Sequence, residues 1–249
     1  MKLITLNTWG GKIYKPLEDF IQRYQDVDIF CFQEIYHDAV GKEKDEDFLD
    51  SAFNLFTDLQ KLLPNHLGFF KENAGGYYGN CIFIKNNLSI LEEGDHFVYK
   101  HKGYIPEGDF FANHARNLQF VKTKNKEITF NIFNVHGLWN GNGKTDTEDR
   151  INQSKNILEF IKKFQNEFIL CGDFNLRLDT ESIKILEDSG LRNLIRENNV
   201  TNTRTSLYKK EERFADYIFV TKDIIVKDFK VLPDEVSDHS PLFLDFELK

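Results

Sequence analysis

Cysteine is scarce in this sequence, and its placement says as much as its number. Cys31, Cys81 and Cys171 are the only three among 249 residues. They stand far apart among apolar neighbours, in "IFCFQ", "GNCIFI" and "ILCGD". An odd, scattered set of this kind fits buried reduced thiols and excludes a disulfide framework. No C-x-x-C occurs, which removes zinc-knuckle and dithiol redox chemistry. Apolar runs of membrane-spanning length are missing, so no membrane insertion is expected. The opening "MKLITLNTWGG" is too short in apolar residues for an export signal, which makes a cytoplasmic protein the expectation. Excess positive charge is missing too: the formal net charge is -8. That argues against a protein that coats nucleic acid or an anionic membrane by bulk charge. It leaves room for an enzyme that meets a polyanion in one cleft, where bound cations offset the carboxylates.

What is present describes an ordinary globular chain, with 41% hydrophobic and 29% charged residues. The 24 phenylalanines are spread at strand and helix spacing, as a core uses them. No linker, low-complexity segment, internal repeat or composition break divides the chain, so residues 1–249 are expected to form a single domain. Strand patterns run over Lys2–Asn7, Asp28–Gln33, Cys81–Lys85, Asn117–Val121, Glu127–Val135, Phe168–Cys171, Asp216–Thr221, Ile224–Val231 and Pro241–Leu248. Helical patterns cover Pro16–Tyr24, Phe48–Leu63, Thr147–Phe164 and Thr180–Ser189. In the third, Asp146 and Thr147 are the expected caps, and Ile151, Ile157, Leu158 and Ile161 the apolar stripe. Strand and helix alternate early and strands follow one another later. That order predicts a sheet-rich α/β domain with helices outside, not a doubly wound parallel sheet.

Several strand patterns end in residues that bind metals or move protons: Asn7 in "LNTWG", Gln33 and Glu34 in "CFQEIY", Asn134 and His136 in "FNVHGLW", Asp173 and Asn175 in "LCGDFN". Glu34 supplies a hard oxygen ligand suited to Mg²⁺. Gly172 lets the chain turn before Asp173 and Asn175, a carboxylate and an amide that suit water and a phosphoryl oxygen side by side. Taken singly, a strand-ending Asx turn or a solvated carboxylate explains each of these equally well or better. Near the C-terminus, "VSDHSPL" sets Asp238 beside His239. Neighbours on an extended chain point to opposite faces, so each needs its own partner. Asp216, inside the apolar "ADYIFV", is costly to bury unpaired and is the expected partner of His239, with Asp238 turned the other way toward metal or water.

The ordered set of N-terminal Asn, Q-E, N-x-H, G-D-x-N, D-x-I/F and S-D-H resembles the endonuclease/exonuclease/phosphatase superfamily of metal-dependent phosphodiesterases, from Asn7 to His239. The resemblance implies an α/β (α+β) four-layer sandwich: two mixed β-sheets packed face to face with helices outside. It implies Mg²⁺, with Mn²⁺ as substitute, at Glu34, with Asn7 and Asp238 close by. Asp173 would position or deprotonate water and Asn175 hold a phosphate oxygen. His239, oriented by Asp216, would act as acid or base, and His136 as a second acid or phosphate donor. The implied activity is a monomeric nuclease on DNA or RNA, with a phospholipid or inositol phosphate substrate as the alternative. A silent binding scaffold fits less well, because the whole ligand set is intact. One departure stands out: deoxyribonuclease-like members orient the first histidine with an acid, and here Asn80 occupies that place.

Other features keep structural explanations. His37, His66, His96, His101 and His114 lack site-like neighbours. Arg116 fits an ion pair at least as well as a phosphate contact, and Arg150 and Gln153 fit a solvated helix face. "GLWNGNGKT" fails the P-loop spacing, since Leu138 stands where the first Gly belongs. "SLYKKEERF", with Arg204 upstream and Tyr208, Lys209, Lys210 and Arg213 within it, reads as a solvated loop before it reads as a strand-gripping surface.

Overall fold

The computed structural model describes residues 1–42, 50–107 and 112–249. Twelve strands form two sheets among the described residues. The first is β11-β12-β1-β2-β4-β3, from Ile224–Val231, Leu242–Leu248, Lys2–Asn7, Ile29–Tyr36, Tyr78–Lys85 and His66–Ala74. The second is β5-β6-β7-β8-β10-β9, from Ser89–Tyr99, Arg116–Asn125, Ile128–His136, Phe168–Asp173, Asp216–Val220 and Arg192–Asn193. Each sheet has one parallel pair at its centre, β1 with β2 and β7 with β8, and antiparallel pairs elsewhere. Both sheets are therefore mixed, and with helices on their outer faces they make the expected α/β sandwich.

Alternation along the central strands explains the layering. In β1, Leu3 joins the core between the sheets, whereas Ile4 and Leu6 face α1 (Tyr14–Arg23) and α2 (Leu55–Leu62). Helix α3 (Glu148–Ile161) packs on the second sheet beside α4 (Glu181–Asp188), and the single turn α5 (Leu194–Glu197) packs on β10. All three cysteines are buried and free, as expected.

Most expected elements are present with shifted ends. The second helix begins at Leu55; Phe48 and residue 49, where its pattern starts, lie outside the described residues. Strands β3, β5 and β9 and helix α5 have no counterpart in the sequence patterns. β3 and β5 are edge strands carrying Lys71, Glu72, Glu92, Glu93 and Asp95, and the charge that protects an open edge also breaks the apolar alternation. The other two are too short to show a period.

Helix α3 corrects two expectations. Thr147 is its cap, accepting from the Arg150 backbone N–H, but Asp146 caps α4 instead, accepting from the backbone N–H groups of Glu181 and Ser182. Its buried face is Arg150, Gln153, Ser154, Ile157 and Ile161, so the first turns bury polar groups where a solvated face was expected.

Candidate active site

Strand register gathers the expected residues at one end of the sandwich. Asn7 pairs with Gln33 across β1 and β2, His136 with Asp173 across β7 and β8, and Asp173 with Asp216 across β8 and β10. Two glycines permit the close approach. Gly172 has φ +132, and a Cβ there would lie 2.0 Å from the Val135 carbonyl oxygen. A Cβ on Gly137 would lie 2.3 Å from the carbonyl oxygen of Phe174. Between these strand ends opens a cavity of about 480 Å³.

Glu34 enters it from a bulge. The β2–β4 register slips between Phe32 and Ile35, and Glu34 adopts φ 59, which swings its carboxylate out of the ladder. Gln33 and Asn134 turn the opposite way. Gln33 Nε2 donates to Asn134 Oδ1 at 2.6 Å and Asn134 Nδ2 to the Phe32 and Cys81 carbonyls. These two buried amides tie the sheets together beneath the site rather than lining it.

Asn7 bridges the carboxylates: its Nδ2 donates to Glu34 Oε1 at 2.8 Å and Asp173 Oδ2 at 3.0 Å, while its Oδ1 accepts from the Trp9 backbone N–H. In that orientation its Nδ2 braces the two carboxylates. His239 is held from both ends. Its backbone N–H donates to Ser237 Oγ, and its Nδ1 meets both Asp216 oxygens at 2.8 and 2.9 Å. Thr203 Oγ1 donates to Asp216 Oδ2, fixing the orienting carboxylate in turn. His239 Nε2 then faces Asp173 Oδ2 at 3.6 Å. Burial and Arg204 work against a charged ring, yet Asp216, Asp238 and Asp173 together hold the His239 pKa above its ordinary value. For Asp173, burial alone would raise the pKa, but His239 and Lys144 outweigh it and keep the carboxyl well below the usual range.

Asp238 does not point away from His239. Strand β12 starts only at Leu242, so the Ser-Asp-His stretch is a bend, and both side chains line the cavity. Asp238 Oδ2 pairs with Arg204 Nη1 at 3.3 Å, and its Oδ1 lies 3.8 Å from His239 Nε2.

His136 Nε2 stands 3.8 Å from both Glu34 Oε1 and Asp173 Oδ2. Burial, with Arg116 next, pushes its pKa well down, so the ring is neutral. Asn80 gives it no hydrogen bond: Asn80 Nδ2 donates to Asn117, and both Asn80 Oδ1 and His136 Nδ1 lack hydrogen-bond partners among the described residues. Asn175 takes φ 55, its backbone N–H donates to Asp173 Oδ1, and its Nδ2 is directed at the Gly137 carbonyl. Its Oδ1 accepts from Lys144 Nζ at 2.6 Å.

Lys144 belongs to the stretch set aside as a failed P-loop, yet it is buried at the cavity wall. Arg150 explains how. Its guanidinium donates to the Leu138, Gly143 and Thr145 carbonyls, and Gln153 Oε1 accepts from the Leu138 N–H. Helix α3 thus clamps the loop that carries Trp139 and Lys144. Part of the basic, aromatic loop is also at the site: Arg204 is buried, stacks 4.1 Å from the Tyr208 ring centroid, and pairs its backbone with His239. Lys210 sits 5.0 Å from the Trp139 ring, while Lys209 and Arg213 are exposed as expected. On the far wall Arg116 is buried with Nε and Nη1 unpartnered among the described residues, and His114 is buried beside Tyr78. His37, His66 and His96 keep structural contacts, to Phe56 and Phe70, the Val27 carbonyl, and Phe160.

A hard divalent cation fits the donors on the Glu34 side. Burial raises the Glu34 pKa and Asp238 and Asp173 push the same way, and no Lys or Arg pairs with it among the described residues. Asp173, Asp216 and His239 also place ligand-type atoms within 4.8 Å of one another. There, however, both Asp216 oxygens are already engaged by His239 and Thr203.

A family profile described as "Endonuclease/Exonuclease/phosphatase family" matches residues 4–239. The chain belongs to this family. Members of the endonuclease/exonuclease/phosphatase family act on phosphoester bonds and depend on divalent metals. No curated protein matches the chain by sequence. Among solved structures, the mannosyl-6-phosphatase of Bacteroides thetaiotaomicron VPI-5482 is similar at TM-score 0.76 and 19% identity, covering 100% of both chains. The human Nocturnin catalytic domain with bound sulfate is similar at 0.74 and 18% identity, covering 100% of this chain and 93% of that one. D. rerio TDP2 complexed with single-strand DNA product is similar at 0.72 and 17%, covering 99% and 98%. At these identities the family's fold is what is shared.

Proposed function

We propose that this chain is a Mg²⁺-dependent phosphodiester hydrolase, a nuclease on DNA or RNA, working as a single-domain cytoplasmic monomer. One observation carries the reading: the Asp173 carboxyl lies between a metal-suited carboxylate, Glu34, and a histidine locked by Asp216. Glu34 and Asp238 would hold Mg²⁺, or Mn²⁺ in its place, with Asn7 bracing Glu34. The cation, when bound, draws charge off the phosphoryl oxygens. Asp173 orients the attacking water, a role suited to a carboxylate that stays ionised. His239, with Nδ1–H donated to Asp216, presents Nε2–H to a phosphoryl or leaving oxygen. His136, held neutral, serves as a hydrogen-bonding group rather than a proton donor. Lys144 and Asn175 act as one unit toward the phosphate.

The test is hydrolysis of bis-p-nitrophenyl phosphate with Mg²⁺ or Mn²⁺, with and without chelator. End-labelled DNA and RNA oligonucleotides, blunt, nicked, abasic and single-stranded, then separate the nuclease modes. Activity that chelation abolishes is expected; none at high protein concentration with either metal overturns the reading. A phosphatase on a small substrate is the second reading, supported by the similarity to a mannosyl-6-phosphatase and by the uncompensated cations in the cavity.

A further inference from the structure

Three arginine or lysine side chains in the cavity wall are buried: Arg116 is 1% exposed, Lys144 3% and Arg204 4%. Arg204 is paired with Asp238. The other two make no ion pair among the described residues. Among the described residues Arg116 leaves Nε and Nη1 without a hydrogen-bond partner, and Lys144 meets the amide oxygen of Asn175 and, 5.7 Å away, the Trp139 ring. A buried cation without a counter-charge is among the costlier things a fold can hold. These two are moreover expensive to place: Lys144 needs a loop whose three carbonyls are clamped by another buried arginine. The wall carboxylates are otherwise engaged: Glu34 and Asp238 are the proposed metal holders, Asp238 also pairs with Arg204, and Asp173 faces His136 and His239.

We propose that Lys144 and Arg116 are substrate-binding residues that together demand a substrate presenting two negative charges in this cavity. The inference rests on the phosphoester-hydrolase reading and narrows its substrate. Two sources carry that chemistry, a phosphomonoester dianion and a phosphodiester with a second phosphate next to it. Lys144 meets the charge on the Asn175 side and Arg116 the charge on the His114–Tyr78 side.

The first measurement compares kcat/KM for p-nitrophenyl phosphate, a dianion, with that for bis-p-nitrophenyl phosphate, a monoanion. Lys144→Met and Arg116→Met should each lower the dianion's value ~10- to 100-fold while lowering the monoanion's far less, the scale of one lost charge-assisted hydrogen bond. Equal losses on both substrates overturn the inference and leave the hydrolase reading standing. A dinucleotide with and without a 5′-phosphate separates the sources. Release of the terminal phosphate points to the monoester, faster cleavage of the internal linkage points to adjacent phosphates, and indifference to that phosphate counts against both. Should the chain hydrolyse nothing, binding still decides. Both tryptophans, Trp9 and Trp139, line the cavity, so their fluorescence follows anion entry into the metal-free protein. Sulfate should bind at least ~10-fold more tightly than nitrate at equal ionic strength, and either Met variant should erase the difference. Equal affinity for the two anions in the wild-type chain sinks the proposal.

Discussion

The cavity has two kinds of wall. One is made of strand ends: Glu34 from β2, His136 from β7 and Asp173 from β8, with Asn7 of β1 and Asp216 of β10 buried behind them. The other is made of loops: Lys144 and Trp139 after β7, Arg204 and Tyr208 before β10. Strand ends inherit their positions from register, so one residue's place fixes its neighbour's to within a side chain's reach. Loops have no such ladder, and each needs an anchor of its own, here Arg150 for the first and the Arg204–His239 backbone bridge for the second. The chemistry sits on the rigid wall and most of the charge recognition on the anchored one, Arg116 at the start of β6 being the exception, a division that keeps reacting groups fixed while the loop surface is free to vary.

The largest expected effects lie on the strand wall. Asp173→Asn and His239→Ala should each lower kcat by ~10⁴-fold with Mg²⁺ present, and circular dichroism should show an unchanged fold. Values near wild type in either variant would mean that the rigid wall is not where the reaction happens. Asp216→Asn should cost ~10³-fold, because the ring would lose both its tautomer control and the carboxylate that stabilises its charge. A plain structural role for Asp216 would instead show as lost thermal stability with kcat preserved.

The same contrast explains what could be read from the sequence. Asp173, Asn175 and His136 announce themselves because an apolar strand ends on each, and the Asp216–His239 pair follows from the cost of burying a lone carboxylate. Lys144 gives no such sign. It stands in a Gly-rich, polar segment whose composition says loop, and only the tertiary clamp from α3 carries it inside. Arg150 and Gln153 are hidden for a related reason, since a polar residue on a helix is read as solvated unless something is known of what it packs against. Arg116 and His114 flank the start of β6, where the pattern signals a strand and nothing about its approach to a cavity. Asp238 turns to the same cavity as His239 because the bend at residues 236–238 removes the alternation that an extended chain would impose.

A middle-sized effect probes the anchor of the loop wall. Arg150→Met frees three buried carbonyls at once, a change expected to cost on the order of 3 kcal/mol of stability. Because Lys144 depends on that loop, kcat/KM should also fall ~10²-fold on the dianionic ester, with KM carrying more of the loss than kcat. The strand wall would be untouched, so combining Arg150→Met with Asp216→Asn should give effects that multiply. Strong departure from multiplication would show that the two walls are mechanically coupled.

The smallest expected effect is a matter of pH. Burial pulls the Lys144 pKa down to about 8, against the attraction of Asp173, and Arg204 adds to the lowering. Below that value the side chain is an ammonium and holds an anion; above it the group is neutral. Sulfate does not titrate in this range, so its affinity for the metal-free chain should fall up to ~10-fold per pH unit as pH rises above about 8, with an unchanging affinity in Lys144→Met. Stability runs the other way. The folded pKa lies below the unfolded one, so the buried ammonium destabilises the fold fully below about 8, and this penalty shrinks as pH climbs toward the ordinary lysine value of 10.5. Lys144→Met should therefore raise the melting temperature at pH 7 and raise it much less at pH 9.5. An identical gain at both pH values would show that the side chain is not a buried charge, and would remove the reason for expecting it to seek a phosphate.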